Sequence, residues 1–373
     1  MADERLQRIF DLLLQKGHQA FLVGGCVRNA LLGVEVSDLD MTTDATPQRV
    51  MDLAKKAGLK VVPTGFEHGT VTVICDHLPV EITTFRRDVE TDGRRAVVAF
   101  STTVEDDAHR RDFTMNALYA DRSGVVHDPV NGLKDLAARR VRFIDDAQTR
   151  IREDYLRSLR FFRFHAWFGD AYAGIDPDGL AACAANLAGL ETLSAERIGA
   201  EMLKLMKAPD PAPALAAMEA SGVLNCLLPG ADASKLGLLV HLEAGISADP
   251  LRRLALLGGD ETARRLRLSR KQAARLLELR DGIGTVTPPS ELAYRHGSEL
   301  ARDIILLRAA VFETPLPAGL ESDLERGTRV CFPVEAKDLM PEFTGAELGT
   351  ELKRLEAVWI ASEFQLSKEE LLT

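Results

Sequence analysis

Gly24-Gly25-Cys26-Val27-Arg28 is the stretch that most restricts which fold this chain can adopt, and Asp38-Leu39-Asp40 follows it. The residues just before it, Ala20 to Val23, are typical of a buried strand. Glycines at the turn let the backbone approach a phosphate without a Cβ in the way. The helix predicted over Val27–Leu32 then directs its first N–H groups at the anion, and Gly33 ends it.

The two aspartates lie in a run, Val36 to Thr42, that is predicted to form a strand. Alternate residues of a strand point to the same face, so we expect Asp38 and Asp40 to project together. Convergent carboxylates bind hard divalent cations, usually Mg²⁺ beside substrate phosphates. Taken alone, an Asp-x-Asp pair is more often two surface residues near a turn. The glycines upstream are the reason to favour a metal site.

Length and composition exclude several classes of protein. The chain has 373 residues, which is enough for two or more domains with their own cores. No apolar run approaches the length of a membrane span, so no membrane partner is expected. Five scattered cysteines contain no Cys-x-x-Cys pair, which predicts a protein of the reducing cytoplasm without a zinc site. The N-terminus is predicted to be an amphipathic helix rather than a signal peptide, with the apolar face Leu6, Ile9, Phe10 and Leu13.

Charge is distributed unevenly along the chain. The formal net charge is −10, which argues against nonspecific binding of nucleic acid by the whole surface. Residues 139–163 and 251–310 are nevertheless rich in arginine and locally basic. An acidic protein with basic segments can bind an RNA of one particular shape while avoiding polyanions in general.

Strand and helix signals divide the chain into a mixed part and a helical part. Residues 1–145 alternate short β-branched runs with helices, which predicts an α+β domain with a small mixed sheet. Beyond residue 146 strand signals nearly disappear, and breaks rich in proline or glycine separate helical segments. The predicted strands are 20–23, 36–42, 59–63, 69–75 and 79–85.

A second polar run, Arg110 to Asn116, can hold phosphate and sugar. Arginine presents a planar fork to phosphate oxygens, and asparagine can bridge ribose hydroxyls. Taken alone, such a run is more often a solvated surface. The later stretch Asp128 to Gly132 is interpreted as a structural turn without a catalytic part.

A third cluster lies on a helix predicted to run through Glu153 to Arg157 and beyond. At 100° per residue, Asp154 and Arg157 fall within about 60° of each other, away from the main apolar arc. Glu153 and Arg157 have the spacing of an i,i+4 ion pair. Arg163 falls inside the apolar arc, as expected for a helix with a ligand on one side and several neighbours. The plain alternative is an ordinary helix with surface ion pairs.

A carboxylate beside a guanidinium can discriminate between bases. Cytosine and adenine both present an amino donor next to a ring-nitrogen acceptor, whereas uracil and guanine present the reverse order. The pair Asp154 and Arg157 would therefore accept C and A and reject U and G. A buried charge left unpaired against the wrong base is costly, so the discrimination can be large.

Together these motifs resemble those of the class II tRNA nucleotidyltransferases, the bacterial CCA-adding enzymes and their poly(A) polymerase relatives. The resemblance extends over nearly the whole chain. It implies a polymerase-β-like head over residues 1–145, followed by an all-helical neck over 146–208, a body over 209–285 and a tail over 286–373 that reaches tRNA. Five stretches carry the resemblance in order: Gly24–Arg28 with Asp38-x-Asp40, Arg110–Leu118, Asp128–Gly132, Glu153–Arg163 and Ser194–Ile198.

The resemblance also implies an activity, the addition of C, C and A to tRNA from CTP and ATP with release of pyrophosphate. Asp38 and Asp40 would be the catalytic ligands of two Mg²⁺ ions, and Glu81 is a candidate third carboxylate. Arg28 and Arg111 would bind the triphosphate beside Gly25. The sugar would contact Asp112 and Asn116, and the incoming base would meet a template in the neck formed by Asp154, Arg157, Arg160 and Arg163.

Three features depart from the family pattern or limit it. Asn29 stands where the family usually has aspartate, and the position is interpreted as local scaffolding. The segment Arg86 to Ala96 resembles the family's flexible loop, and its presence argues against an enzyme that adds only CC. The only His-Asp dipeptide, His127-Asp128, lies in the third motif, so no phosphohydrolase domain is expected.

Two alternative functions stay open. A poly(A) polymerase is disfavoured because indiscriminate RNA binding calls for a more basic chain. A catalytically silent RNA-binding or maturation protein is the alternative from another class, and the intact Asp38 and Asp40 argue against it.

Overall fold

The computed structural model describes residues 1–92 and 95–373, and side chains outside 88–98. The chain folds as two compact units. Unit 1 comprises Met1–Ala233 and Gly259–Arg267, and unit 2 comprises Ser234–Gly258 and Leu268–Thr373. No described helix combines the length and the apolar character that crossing a bilayer requires.

The strands lie in the first part of unit 1, which confirms the predicted α+β domain. A mixed sheet has the strand order β3-β4-β5-β2-β1-β8-β9, in which only β2 and β5 run parallel among the described pairs. The strands β6 and β7 form a separate antiparallel hairpin. Their bounds are β1 (Ala20–Val23), β2 (Asp40–Thr43), β3 (Lys60–Gly65), β4 (Thr70–Cys75), β5 (Leu78–Thr84), β6 (Arg86–Asp92), β7 (Arg95–Phe100), β8 (Tyr119–Ala120) and β9 (Val126–His127).

Helices supply the remaining regular structure of the described chain, together with short 3₁₀ turns at Phe66–His68, Thr114–Asn116 and Ala336–Asp338. Beyond β9 the described regular structure is entirely helical, as the sequence predicts. The helices are α1 (Glu4–Leu14), α2 (Gly25–Leu32), α3 (Pro47–Lys56), α4 (Val104–His109), α5 (Gly132–Ala137), α6 (Ala147–Glu153), α7 (Leu156–Phe168), α8 (Pro177–Ala185), α9 (Leu187–Leu190), α10 (Ala195–Met206), α11 (Ala212–Ala220), α12 (Val223–Leu227), α13 (Leu236–Leu242), α14 (Pro250–Leu257), α15 (Thr262–Arg265), α16 (Arg270–Ile283), α17 (Pro289–His296), α18 (Ser298–Phe312), α19 (Leu320–Arg329), α20 (Gly345–Ala361) and α21 (Lys368–Leu371).

A two-residue turn, Asp76-His77, joins β4 to β5. Both residues have positive φ, 45° and 66°, as the tight turns that match the twist of a hairpin require. The resulting register pairs Thr72 of β4 with Glu81 of β5. Because β5 also pairs in parallel with β2, Glu81 lies beside Asp40.

The strand predicted over Val36–Thr42 is shorter than expected. It begins at Asp40, which pairs with Glu81 of β5, and Met41 is the first residue that pairs with β1. Before the strand, the Leu39 carbonyl still accepts a hydrogen bond of 3.0 Å from the Glu81 N–H, whereas Val36 to Asp38 are exposed. Asp38 therefore precedes the strand. The predicted start of the strand was wrong, while the expectation that Asp38 and Asp40 project together stays a prediction, and both residues line the same cavity.

The segment Arg86–Ala96, predicted to be a flexible loop, falls mainly on the hairpin of β6 and β7. Gly93 and Arg94, which belong to the same prediction, lie outside the described residues.

The helix predicted to pass through Asp154 is interrupted at that residue. α6 ends at Glu153, Asp154 is extended with φ −153° and ψ 105°, and α7 begins at Leu156. The Asp154 carboxylate accepts a hydrogen bond of 3.1 Å from the Leu156 N–H and so caps α7. A single helical wheel across this break was wrong, because the angle per residue is not kept through an extended residue.

A group of phenylalanines joins α7 to the rest of unit 1. Phe161 and Phe164 pack on Phe113, and Phe161 also stacks on Phe143 at 5.3 Å between ring centroids. All four are buried. This cluster fixes α7 against the polar run that begins at Arg110.

Unit 2 has an apolar core and a buried ionic network. In its C-terminal part Leu355 and Trp359 of α20 are buried. In the network Arg252 contacts Glu243 at 2.7 Å and Asp303 at 2.6 Å, with all three side chains 3% exposed. The network connects α14 and α18 of unit 2.

Candidate active site

The glycine turn brings two of the predicted arginines together. Gly24 has φ 75° and ψ −128°, a conformation that favours glycine, and α2 begins at Gly25. A Cβ on Gly24 would lie 3.5 Å from Nη1 of Arg111, and a Cβ on Gly25 would lie 3.7 Å from Nη2 of Arg28. The turn therefore lets two guanidinium groups reach the start of α2.

Three arginines share the aromatic rings of α7. The Arg28 guanidinium lies 3.9 Å from the ring centroid of Phe168, and Arg163 and Arg160 lie 4.5 and 5.3 Å from that of Phe164. Such contacts hold cations in place while leaving their charge available. Burial, together with the charges of Arg163 and Arg160, lowers the pKa of Arg28 to about 10, against the opposing charge of Asp112.

A chain of hydrogen bonds links α2 to α7. Arg28 donates to Oδ1 of Asn116 at 2.5 Å, and Asn116 donates to Oδ1 of Asp112 at 3.0 Å. Arg160 closes the chain by binding Oδ2 of Asp112 at 2.7 Å. Burial would raise the pKa of Asp112, but Arg160 and the hydrogen bond from Asn116 hold it at about 2. Four predicted site residues thus form one connected network.

Asp107 is a site residue that sequence reasoning missed. Its fully buried carboxylate binds Arg110 at 2.6 Å and Arg111 at 2.9 Å, and it accepts a hydrogen bond from the Tyr119 hydroxyl. Burial would raise the pKa of Asp107, but the two arginines hold it at about 2. The i,i+3 and i,i+4 spacing to this arginine pair was the signal that could have found it.

The predicted metal ligands line a cavity of 870 Å³. Asp40, Glu81 and Thr72 face it from neighbouring strands, and Asp38 reaches it from the segment before β2. Burial raises the pKa of Asp40, the charges of Glu81 and Asp38 raise it further, and Arg111 opposes them. A divalent cation would relieve this repulsion, so the oxygen donors fit such an ion. The register of β2 and β5 supports Glu81 as the third carboxylate.

A second acidic group, in unit 2, is less suited to a metal. Oxygen atoms of Asp249, Glu299 and Asp303 lie within 4.8 Å of one another. Arg275 already contacts all three, at 2.8, 3.1 and 2.6 Å. A guanidinium therefore occupies the position that a cation would need.

The two central residues of the predicted base template, Asp154 and Arg157, are held by different partners. The Asp154 carboxylate binds Arg197 of α10 at 2.7 Å, in the last of the five motifs. Arg157 donates to Glu153 and to the carbonyl oxygens of Arg150 and Arg110, which uses three of its five N–H donors. The i,i+4 contact of Glu153 and Arg157 is confirmed. No contact joins the side chains of Asp154 and Arg157 in the described chain.

Arg163 is also held by a residue that sequence reasoning missed. Its Nε lies 2.5 Å from Oε2 of Glu201, a carboxylate only 5% exposed on α10. α10 therefore supports both ends of the predicted template, through Arg197 and Glu201.

The stretch Asp128–Gly132 is a structural turn as predicted, since the Asp128 carboxylate accepts hydrogen bonds from the Gly132 and Leu133 N–H groups.

The comparisons with known proteins agree with this geometry. Residues 20–142 match the family model of the poly A polymerase head domain, and residues 174–235 match that of a probable RNA and SrmB-binding site of polymerase A. The class that the fold and the site define is that of the poly(A) polymerase-type nucleotidyltransferases. Within that class, the chain belongs to the family of CCA tRNA nucleotidyltransferases.

Relatives and one solved structure give the extent of the similarity. The mitochondrial CCA tRNA nucleotidyltransferase 1 of Mus musculus is 31% identical over 99% of this chain and 89% of its own length. That of Homo sapiens is 41% identical over 54% of this chain, an alignment that spans 47% of the human protein. The crystal structure of the Bacillus stearothermophilus CCA-adding enzyme in complex with CTP superposes with a TM-score of 0.78 at 29% identity, covering 99% of this chain and 95% of the other.

Proposed function

We propose that this chain adds C, C and A to the 3′ end of tRNA, taking the nucleotides from CTP and ATP and releasing pyrophosphate. The observation that carries the proposal is the position of Arg111. Its charge opposes the rise in the pKa of Asp40, and its Nη1 approaches the glycine turn. Arg111 therefore lies between the carboxylates and the glycine turn, which suits transfer of a nucleotide from a triphosphate.

We assign Asp38 and Asp40 to the metal, with Glu81 beside them, and Mg²⁺ is the ion that suits these oxygen donors. When bound, Mg²⁺ would lower the pKa of the tRNA 3′-hydroxyl and neutralise charge on the departing pyrophosphate. Asp40 is held on a paired strand, whereas Asp38 is exposed on the preceding segment. Asp40 is thus the rigid ligand and Asp38 the adjustable one.

The remaining residues orient the nucleotide in this proposal. Arg28 and Arg111 bind the triphosphate at the start of α2, beside Gly25. Asp112 and Asn116 face the sugar, while Asp154 and Arg157, with Arg160 and Arg163 behind them, select the base. The supporting observation is that every one of these side chains belongs to unit 1 and is held by a described contact.

The division into head, neck, body and tail stays a proposal, with the tail as the part that contacts tRNA.

The cysteines are free thiols, which suits a reducing compartment such as the cytoplasm. Partners in this proposal are tRNA, CTP and ATP.

One incubation series tests the function. Purified protein and Mg²⁺ are mixed with tRNA ending at the discriminator base, with tRNA ending in CC, or with generic RNA, and with each labelled nucleotide in turn. We expect C on the first substrate, A on the second and nothing on generic RNA. Adenylation of generic RNA would identify a poly(A) polymerase instead. No incorporation into any substrate would identify a silent RNA-binding protein.

A further inference from the structure

Arg111 is held along one edge of its guanidinium group. Its Nε donates to Oδ2 of Asp107 at 3.1 Å, and its Nη2 donates to the same oxygen at 2.9 Å. Nε also donates to the Tyr119 hydroxyl at 3.1 Å. Nη1 makes no hydrogen bond within the described part of the chain, and a Cβ on Gly24 would lie 3.5 Å from it. The ion pair with Asp107 therefore leaves Nη1 available to a ligand at the glycine turn.

The Tyr119 hydroxyl holds both members of this ion pair. It donates to Oδ2 of Asp107 at 2.9 Å while it accepts from Nε of Arg111. Burial raises the pKa of Tyr119, although the charge of Arg111 opposes the shift, so the hydroxyl keeps its proton and remains a donor. Tyr119 and Asp107 are both fully buried. The three side chains form a closed triangle in which each contacts the other two, and this restricts the rotation of the guanidinium.

The backbone of Tyr119 is tied to the glycine turn. β8 pairs with β1 so that Tyr119 lies opposite Val23, the residue directly before Gly24. The Gly24 N–H donates to the carbonyl oxygen of Leu118, the residue directly before Tyr119, at 3.3 Å. Val23 and Tyr119 also belong to one buried cluster. The sheet therefore fixes the position of the hydroxyl, and with it that of Arg111, relative to the turn.

We propose that Tyr119 is a positioning residue for the triphosphate. Asp107 supplies the charge that pairs with Arg111, and the Tyr119 hydroxyl sets the direction of the guanidinium, so that Nη1 meets the phosphates at the glycine turn. The inference rests on the proposed function and deepens it, because the phosphates are those of CTP and ATP. Tyr119 lies directly after the stretch Arg110–Leu118, and the resemblance to known enzymes gives it no role.

Binding of tripolyphosphate tests the inference without requiring polymerisation. Calorimetry in the presence of Mg²⁺ compares the full-length wild type with Tyr119→Phe, which removes the hydroxyl and keeps the buried ring. The matched control is Tyr294→Phe, which removes a hydroxyl that also donates to a carboxylate, that of Glu356 at 2.6 Å in unit 2. We expect Tyr119→Phe to weaken binding about fivefold, as the loss of one orienting hydrogen bond would, and the control to leave it unchanged.

A double-mutant cycle separates positioning from folding. Arg111→Lys keeps a positive charge beside Asp107 but lacks the planar fork whose direction Tyr119 sets. We expect Tyr119→Phe to change the affinity for tripolyphosphate by less than about twofold in the Arg111→Lys background, because the hydroxyl acts only through the guanidinium. A structural role would weaken binding by the same factor in both backgrounds, and that result would overturn the inference.

The single variants also decide. Equal affinity of the wild type and Tyr119→Phe, or no detectable binding of tripolyphosphate to the wild type, would overturn the inference. If Tyr119→Phe does not fold, Arg111→Lys decides by itself. We expect it to bind tripolyphosphate about tenfold more weakly than the wild type, since a point charge replaces the fork, and equal affinity would overturn the inference.

Kinetics on tRNA provide the second readout. We expect Tyr119→Phe to lower kcat/KM for CTP, ATP and UTP by the same factor of about five, because the triphosphate is common to all three. The ratio of kcat/KM for CTP over UTP should therefore stay at its wild-type value, and a changed ratio would contradict the inference. Failure of the wild type to incorporate C or A would instead refute the proposed function, and tripolyphosphate binding would still decide the role of Tyr119.

Discussion

Asp40 and Glu81 are distant in sequence but adjacent across two parallel strands, which makes their roles separable by substitution. Asp40→Ala should abolish incorporation of both C and A, since it removes the carboxylate that we propose as the rigid metal ligand. Glu81→Gln keeps the shape of the side chain, and we expect activity to fall about 10- to 100-fold, the size typical of residues that tune a metal site. Single-turnover incorporation into tRNA at several Mg²⁺ concentrations measures both effects.

The control for these variants is tRNA binding, which should persist in Asp40→Ala. Incorporation at the wild-type rate by Asp40→Ala would remove the metal assignment. If Glu81→Gln proved as active as the wild type, Glu81 would be a neighbour of the site rather than part of it.

Asp154 and its partner Arg197 allow selectivity to be tested at two residues. Asp154→Asn keeps the volume but lets the side chain donate as well as accept, so uracil and guanine should be better tolerated. A bidentate base contact is worth roughly 1–3 kcal/mol, so the ratio of kcat/KM for CTP over UTP should fall by about one to two orders of magnitude. Arg197→Ala should lower the same ratio, because it frees the carboxylate that it holds at 2.7 Å.

An equal loss for all nucleotides, with the CTP-to-UTP ratio unchanged, would show that these residues support structure only. An unchanged ratio in Arg197→Ala alone would show that the cap on α7 suffices to orient Asp154.

At the scale of elements, the ion pair between Asp112 and Arg160 attaches α7 to the polar run of the second motif. The pKa of Asp112 is about 2 in the folded state and 3.8 in its ordinary environment. Because the folded value is the lower one, the stabilisation is present above pH 3.8 and is lost as the pH falls toward 2. The difference corresponds to about 2 kcal/mol in the free energy of unfolding.

Chemical denaturation at pH 5 and at pH 2 tests this expectation. The loss of stability on acidification should be smaller in Asp112→Asn than in the wild type by about that amount. Identical losses would mean that the ion pair contributes nothing to the attachment of α7.

Elements with local signals could be predicted from the sequence, and those that depend on distant partners could not. Leu6 and Phe10 define α1 by their spacing alone, and Gly33 ends α2 as expected. The start of β2 depends on where β5 lies, and nothing near Asp38 encodes that. The break at Asp154 was hidden because the residues on both sides favour a helix, and the carboxylate that caps α7 is held by Arg197 from another helix.

In the candidate site, too, some residues could be predicted from the sequence and others could not. The motifs identified Arg28, Arg111, Asp112 and Asn116, and these residues do cluster. Asp107 was missed although its i,i+3 and i,i+4 spacing to Arg110 and Arg111 indicated the contact. Glu201 was missed because it belongs to the site only through a buried contact with Arg163, which is distant in sequence.

At the scale of the whole molecule, unit 2 depends on charges that are out of contact with water. Burial raises the pKa of Asp303, although Arg252 and Arg275 both bind it at 2.6 Å and oppose the shift. Asp303→Ala would remove one carboxylate from each of these two cations, while Glu243 still binds Arg252 and Asp249 still binds Arg275. We expect it to lower the free energy of unfolding of unit 2 by about 3 kcal/mol, the lower end of the cost of breaking a buried ion pair. The matched control is Glu321→Ala, which removes a more exposed partner of Arg302 and should cost less than about 1 kcal/mol.

Thermal and denaturant unfolding of both variants, followed by circular dichroism, measures the difference. Equal stability of the two variants would show that the buried network is dispensable.

The turn Asp76-His77 has a consequence for how this chain can change in evolution. Adding or deleting one residue there would oblige β4 or β5 to slip, and a slip of one residue turns every side chain of a strand over to the opposite face. If β5 slipped, Glu81 would point away from Asp40, although the turn itself touches neither residue in the described contacts. The length of this turn is therefore under the same selection as the carboxylates. The identity of its two residues is constrained by their left-handed backbone and, at Asp76, by an exposed ion pair with Arg8 at 2.7 Å, which contributes little to stability. Substitutions there should be tolerated where insertions are not.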